Sequence, residues 1–148
     1  MTKCVLILGG YGNFGKRISA ALASKGIPVL IAGRDFQMAS DLAKSIGPNA
    51  TPLKLDIETG LTRAFKEHRP CAVVNTVGPF QGQGYEVARA AIDHKIHYID
   101  LADGREFVTG IKKLDQHAQD AGIAVISGAS TVPALSDAVV AAYTSDFA

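Results

Sequence analysis

Short runs rich in Val and Ile alternate with amphipathic stretches along the whole of this chain, and that alternation limits the folds open to it. The spacing predicts strands at Cys4–Leu8, Val29–Ala32, Pro52–Leu55, Ala72–Thr76, Tyr98–Leu101 and Ala124–Ile126. It predicts helices near Phe14–Ser24, Phe36–Ile46, Leu61–His68, Gly84–His94, Glu106–Ala121 and Ala134–Tyr143. The strand segments are continuously apolar rather than alternating, as expected when helices cover both faces of a sheet. Strand–helix alternation then calls for right-handed crossovers and parallel pairing. The fold class is α/β: a doubly wound parallel sheet of about six strands. Gly26 and Gly122 are expected to stop the first and fifth helices, and Asp103-x-x-Glu106 has the spacing of a capping box at the start of the fifth.

The bulk properties narrow the function classes. At 148 residues the chain is one domain by size. Apolar residues make up 47% and charged residues 20%, as in an ordinary globular protein. Fifteen basic and 14 acidic residues leave a net charge of +1 with no basic block, so neither a nucleic acid nor an anionic membrane is an expected partner. The opening apolar run is too short to span a membrane and carries no cleavage signal, so it reads as the first strand of a cytoplasmic protein. Cys4 and Cys71 read as small core hydrophobes in a reducing compartment.

The first strand runs into GGYGNFG. Gly10, Gly12 and Gly15 fit G-x-G-x-x-G between a strand and a helix, the context in which that pattern points to a dinucleotide. Gly10 is expected to permit the tight turn, Gly12 to admit a pyrophosphate close to the backbone, and Gly15 to let helix and sheet approach. Tyr11, Asn13 and Phe14 lie on the same loop and offer backbone donors at a helix N-terminus. The bland alternative is a glycine-rich turn with no ligand.

A protein that binds NAD usually places an acidic residue at the end of the second strand. Here Gly33 takes that place and Arg34 follows, nineteen residues after Gly15. The missing carboxylate and the guanidinium together suit a 2′-phosphate, which points to NADP. Asp35 could instead reach a ribose hydroxyl and keep NAD possible, and Arg34 could be a solvated surface residue. Asp56, with Ile57 after it, ends the third strand either beside an adenine amine or as a helix N-cap. Val77, Gly78 and Pro79 follow the fourth strand, at the crevice where strand order reverses, and are expected along the pyrophosphate and nicotinamide ribose.

These segments, GGYGNFG, AGRD, NTVGPFQGQG, YIDLADGREF and SGASTVPALSD, together resemble the NAD(P)-binding Rossmann domain of saccharopine dehydrogenase-like oxidoreductases across essentially the whole chain. The resemblance implies that Gly10, Gly12, Phe14, Gly33, Arg34, Asp56 and the Val77–Pro79 turn lie on the cofactor. It also implies a reductase or dehydrogenase acting on a small molecule, with a substrate domain after residue 148. Saccharopine itself is not implied, because substrates in this group vary.

No catalytic acid or base stands out. Asp100, Asp103 and Glu106 cluster after the fifth strand, but capping accounts for two of them. No Tyr-x-x-x-Lys pair is present, against a short-chain dehydrogenase mechanism, and no G-x-S-x-G elbow. His94-x-x-His97 straddles a helix end and a strand start, so no metal site is expected. Ser130–Pro133 is expected to open the last helix. The closing segment AVVAAYTSDFA carries no cap signal, so the expectation is a domain excised from a longer protein. Two function classes stand: the cofactor half of an oxidoreductase, inactive by itself, and an NADP-sensing module without turnover. A face left by an absent domain is a candidate for pairing with a second copy.

Overall fold

The computed structural model describes residues 3–144. Six parallel strands, β1 (Val5–Leu8), β2 (Val29–Gly33), β3 (Ala50–Lys54), β4 (Ala72–Asn75), β5 (His97–Asp100) and β6 (Val125–Ile126), form one sheet in the order β3-β2-β1-β4-β5-β6. This is the doubly wound Rossmann arrangement, with the reversal of strand order between β1 and β4. The register sets Leu8 beside both Ala32 and Asn75, and Asn75 beside Asp100, so the strand ends that frame the reversal lie level.

Alternation along the central strands sorts side chains into two cores. Val5 and Ile7 of β1, Val29 and Ile31 of β2 and Val74 of β4 meet Ala23 of helix α1 (Asn13–Ser24) and Ala39 and Ala43 of α2 (Phe36–Ile46). Leu6, Leu8, Val73 and Tyr98 face the other way, onto Phe65 of α3 (Ile57–His68), Ala88 and Ala91 of α4 (Glu86–Asp93) and Ala118 of α6 (Asp115–Ala121). Helices therefore cover both faces, and β1, buried at every position, lies between the two cores.

Where the elements depart from expectation, local chemistry accounts for it. Helix α3 starts at Ile57 rather than Leu61, because Asp56 caps it by accepting the Glu58 N–H at 2.9 Å. The third strand begins at Ala50, ahead of Pro52; as β3 is an edge strand, the missing N–H breaks no ladder between two neighbours. The fifth helix is broken into α5 (Arg105–Gly110), a 3-10 turn at Ile111–Leu114, and α6. The break falls at Gly110, a weak helix former whose missing Cβ makes room for the Tyr85 hydroxyl. The Asp103–Glu106 capping box does not form: Gly104 is the N-cap, and Asp103 Oδ1 instead accepts from Gln81 Nε2 at 3.0 Å. The last helix opens near Ser130–Pro133, as expected, but with a kink: a π-helical turn at Thr131–Leu135, broken by extended Val132 (φ −124°, ψ 124°), leads into α7 (Ser136–Ala142). Cys4 and Cys71 stand one residue ahead of β1 and β4, half-buried and unbridged.

Candidate dinucleotide site

The carboxyl ends of β1, β2 and β4 open into a cleft of about 440 Å³. The loop leaving β1 extends the sheet at first, with Gly10 N–H donating to Ala32 O at 3.0 Å, and then turns back as Gly12 N–H donates to Gly9 O at 2.9 Å. The left-handed residue of this turn is Gly9 (φ 70°), not Gly10 as the motif suggested. Gly10 is instead packed on β2, where a Cβ would stand 2.9 Å from Ile31 Cγ2. A Cβ on Gly15 would lie 2.7 Å from Gly10 Cα, so the first turn of α1 rests directly on the loop. Thr76, at the end of β4, ties down the far side by donating its hydroxyl to Leu8 O at 2.7 Å.

Helix α1 starts with an open end. Its N-cap is Gly12, no side chain caps it, and no acidic residue sits in its first turn. The first N–H to close onto the loop is that of Lys16, on Gly12 O at 3.0 Å. The N–H groups ahead of it and the helix dipole make this end a seat for an anion.

Beside it, at the end of β2, the Tyr11 ring lies over Gly33. A Cβ at Gly33 would be 2.6 Å from Tyr11 Cζ, so position 33 has no room for a side chain while Tyr11 is in place. The Tyr11 hydroxyl oxygen accepts the Asp35 N–H at 3.1 Å. Asp35 Oδ1 turns away to cap α2 on Met38 N at 3.1 Å. Arg34, exposed on the cleft rim, has no carboxylate partner among the described residues.

Eight residues singled out from sequence line this one cleft: Tyr11, Gly12, Gly33, Arg34, Asp56, Ile57, Val77 and Gly78. Gly10 and Gly15 are buried in the contacts of the loop with β2 and α1 and do not line the cleft. Asn13, Phe14, Asp35 and Pro79 are exposed and lie outside its lining. The lining also takes in Thr76, in the segment after β4 expected along the cofactor, and Gly9 and Glu58, to which the sequence gave no role. Gly9 adjoins the glycine motif, and its position at a strand end was the available signal. Asp56 has one carboxylate oxygen engaged as the cap of α3 while it lines the cleft.

The acidic cluster after β5 is separate from this cleft. Asp100 is fully buried, and its Oδ1 accepts from Ala102 N (3.0 Å), Gly128 N (3.0 Å) and Ser127 Oγ (2.9 Å). It thereby pins the loop after β6 to the end of β5. Neighbouring Asn75 receives the Val77 N–H at 3.1 Å and donates to the Tyr98 hydroxyl at 3.5 Å. Burial, with the Asp100 charge adding to it, pushes the Tyr98 phenol far above its ordinary range. His94 Nδ1 meets Ala90 O, whereas His97 Nδ1 accepts the Ala124 N–H. Among the described residues no three His, Cys, Asp or Glu side chains gather to hold a metal, and no helix is long and apolar enough to cross a membrane.

The family model described as the saccharopine dehydrogenase NADP binding domain matches residues 5–126. Apo saccharopine dehydrogenase (L-Glu forming) from Saccharomyces cerevisiae superposes with a TM-score of 0.66 at 24% identity, over 86% of this chain and 27% of that one. The chain thus spans about a quarter of that enzyme's length. A 3-ketoacyl-(acyl-carrier-protein) reductase from Brucella melitensis in complex with NADH gives a TM-score of 0.66 at 21% identity, over 84% of this chain and 73% of that one. A metagenomic short-chain oxidoreductase in complex with NADP gives 0.60 at 15% identity, over 84% and 79%. At these identities the structures speak for the fold. No curated protein sequence matches the chain.

Proposed function

The chain belongs to the saccharopine dehydrogenase NADP-binding domain family, and from that premise we propose that it selects NADP over NAD and serves as the cofactor half of a longer oxidoreductase with a small-molecule substrate. The observation that carries the reading is the end of β2. Arg34 stands on the cleft rim with no carboxylate partner among the described residues, and the position that would carry an NAD-selecting acid is Gly33, over which the Tyr11 ring lies. The pyrophosphate seats on the open end of α1, the adenosine lies toward β2 and Asp56, and the nicotinamide half runs along the Val77–Gly78 turn. Pro79 holds the exit of that turn, while Asn13 and Phe14 approach the phosphates through their backbone. The nicotinamide supplies the hydride chemistry, and this chain's own part is to bind and orient it. The charged groups lining the cleft, Arg34, Asp56 and Glu58, all belong to its β2–β3 side, away from where a hydride moves. The domain by itself accordingly binds nucleotide without turning it over.

The test is a calorimetric titration of the chain with NADPH and with NADH, beside Arg34→Ala. NADPH should bind more tightly, and the variant should lose about 10- to 100-fold for NADPH, the worth of one or two charge-assisted contacts, with NADH nearly unchanged. Equal affinities in the unmodified chain, or tighter NADH, would overturn the reading.

A further inference from the structure

We propose that the Tyr11 side chain, in addition to its backbone, is a specificity-determining group of this cleft, its hydroxyl donating to the 2′-phosphate beside Arg34. The inference rests on the NADP reading above and names a second contact to the group that distinguishes the two nucleotides.

Three observations converge on it. The Tyr11 oxygen accepts the N–H of Asp35, the residue after Arg34, so the hydroxyl is fixed at the turn from which the guanidinium departs. That bond uses an oxygen lone pair and leaves the hydroxyl proton unspent. The proton has no acceptor among the described residues, although both Tyr11 and Arg34 line the cleft. Among the described residues no hydrogen bond joins the hydroxyl proton to the Asp35 carboxylate, whose Oδ1 accepts the Met38 N–H at the start of α2. A donor with an anchored oxygen and a free proton, next to a guanidinium with no carboxylate partner among the described residues, suits a dianionic oxygen cluster. A ribose 2′-hydroxyl has a single oxygen to share between the two donors and gains little from both. The Tyr11 ring performs the complementary exclusion by filling the space where a carboxylate at position 33 would begin.

Adenosine 2′,5′-bisphosphate and 5′-AMP isolate the adenosine half of the site and differ only in the phosphate at issue. The experiment titrates both into the chain and into Tyr11→Phe, which keeps the ring over Gly33. An unchanged thermal midpoint for the variant establishes that it folds. The expected result is a loss of about tenfold for the bisphosphate with 5′-AMP within twofold, and the same split between NADPH and NADH. An equal loss for both adenosine nucleotides, or no loss for either, while the unmodified chain still prefers the bisphosphate, would overturn the Tyr11 assignment alone. If the unmodified chain does not distinguish the two, the NADP reading itself falls, and Tyr11 with it.

Discussion

Gly15 stands where α1 rests on the loop that leaves β1, and the atoms a methyl group there would strike are all backbone, the Gly9 carbonyl oxygen first and then Gly10 Cα and C. Backbone in a loop fixed at both ends cannot yield as a side-chain tip can. Gly15→Ala should therefore cost about 1–3 kcal/mol in a urea titration, the range for overpacking a close contact, and weaken nucleotide binding as the loop shifts. The spacing of the three glycines made this contact legible in advance, because it is a local property of a strand–turn–helix. The Tyr11–Gly33 contact was not legible. Those residues are 22 positions apart and meet only because the register sets Leu8 beside Ala32. A small residue at position 33 reads from sequence as a missing charge, and the structure adds that it is also a missing volume.

At the scale of elements, the buried polar groups at the ends of β4 and β5 are the joint between the two strands. Asp100→Ala would strand the Ala102 and Gly128 N–H groups in a dry interior, with an expected loss of about 2–4 kcal/mol by denaturant titration. Tyr98 makes this joint sensitive to alkali. Its folded-state value is raised above the ordinary 10.0, so its contribution is fully present below pH 10. Above pH 10 the unfolded chain sheds the phenolic proton while the native state keeps it, and stability falls by up to about 1.4 kcal/mol per pH unit. Tyr98→Phe should remove that slope, and the difference between the two unfolding curves from pH 9 to 11 measures it, since the other titrating groups are common to both. The strands were legible from sequence to within two residues at either end, most plainly β1, β2 and β4, which are buried and apolar along nearly their whole length, and least so the edge strand β3, with Pro52, Lys54 and exposed positions. The interruption at Gly110 was not, since it depends on Tyr85 arriving from a distant loop.

Across the whole molecule, burial is concentrated on β1 and thins toward β6, beyond which α7 has no buried residue among those described. Val139, Val140 and Tyr143 are 49–61% exposed. Val139→Ser and Val140→Ser together should shift the stability of this chain by no more than about 0.5 kcal/mol per site in a thermal melt, in contrast to the core alanines of α1 and α2.

The strand order carries a consequence for how the chain is made. Growth proceeds outward from β1 to β2 and β3, then returns to the uncovered edge of β1 with β4, whose first residue, Ala72, is synthesised 64 residues after Leu8. Through that interval an emerging chain displays the apolar, unpaired edge of its most central strand, a template for pairing with another nascent copy. The phosphate loop is by then complete in sequence, but the Thr76 hydroxyl that fastens it to β4 has yet to emerge. Nucleotide capture is thus a late event in the life of a newly made chain, and the stretch of translation before residue 76 is when it most needs shelter.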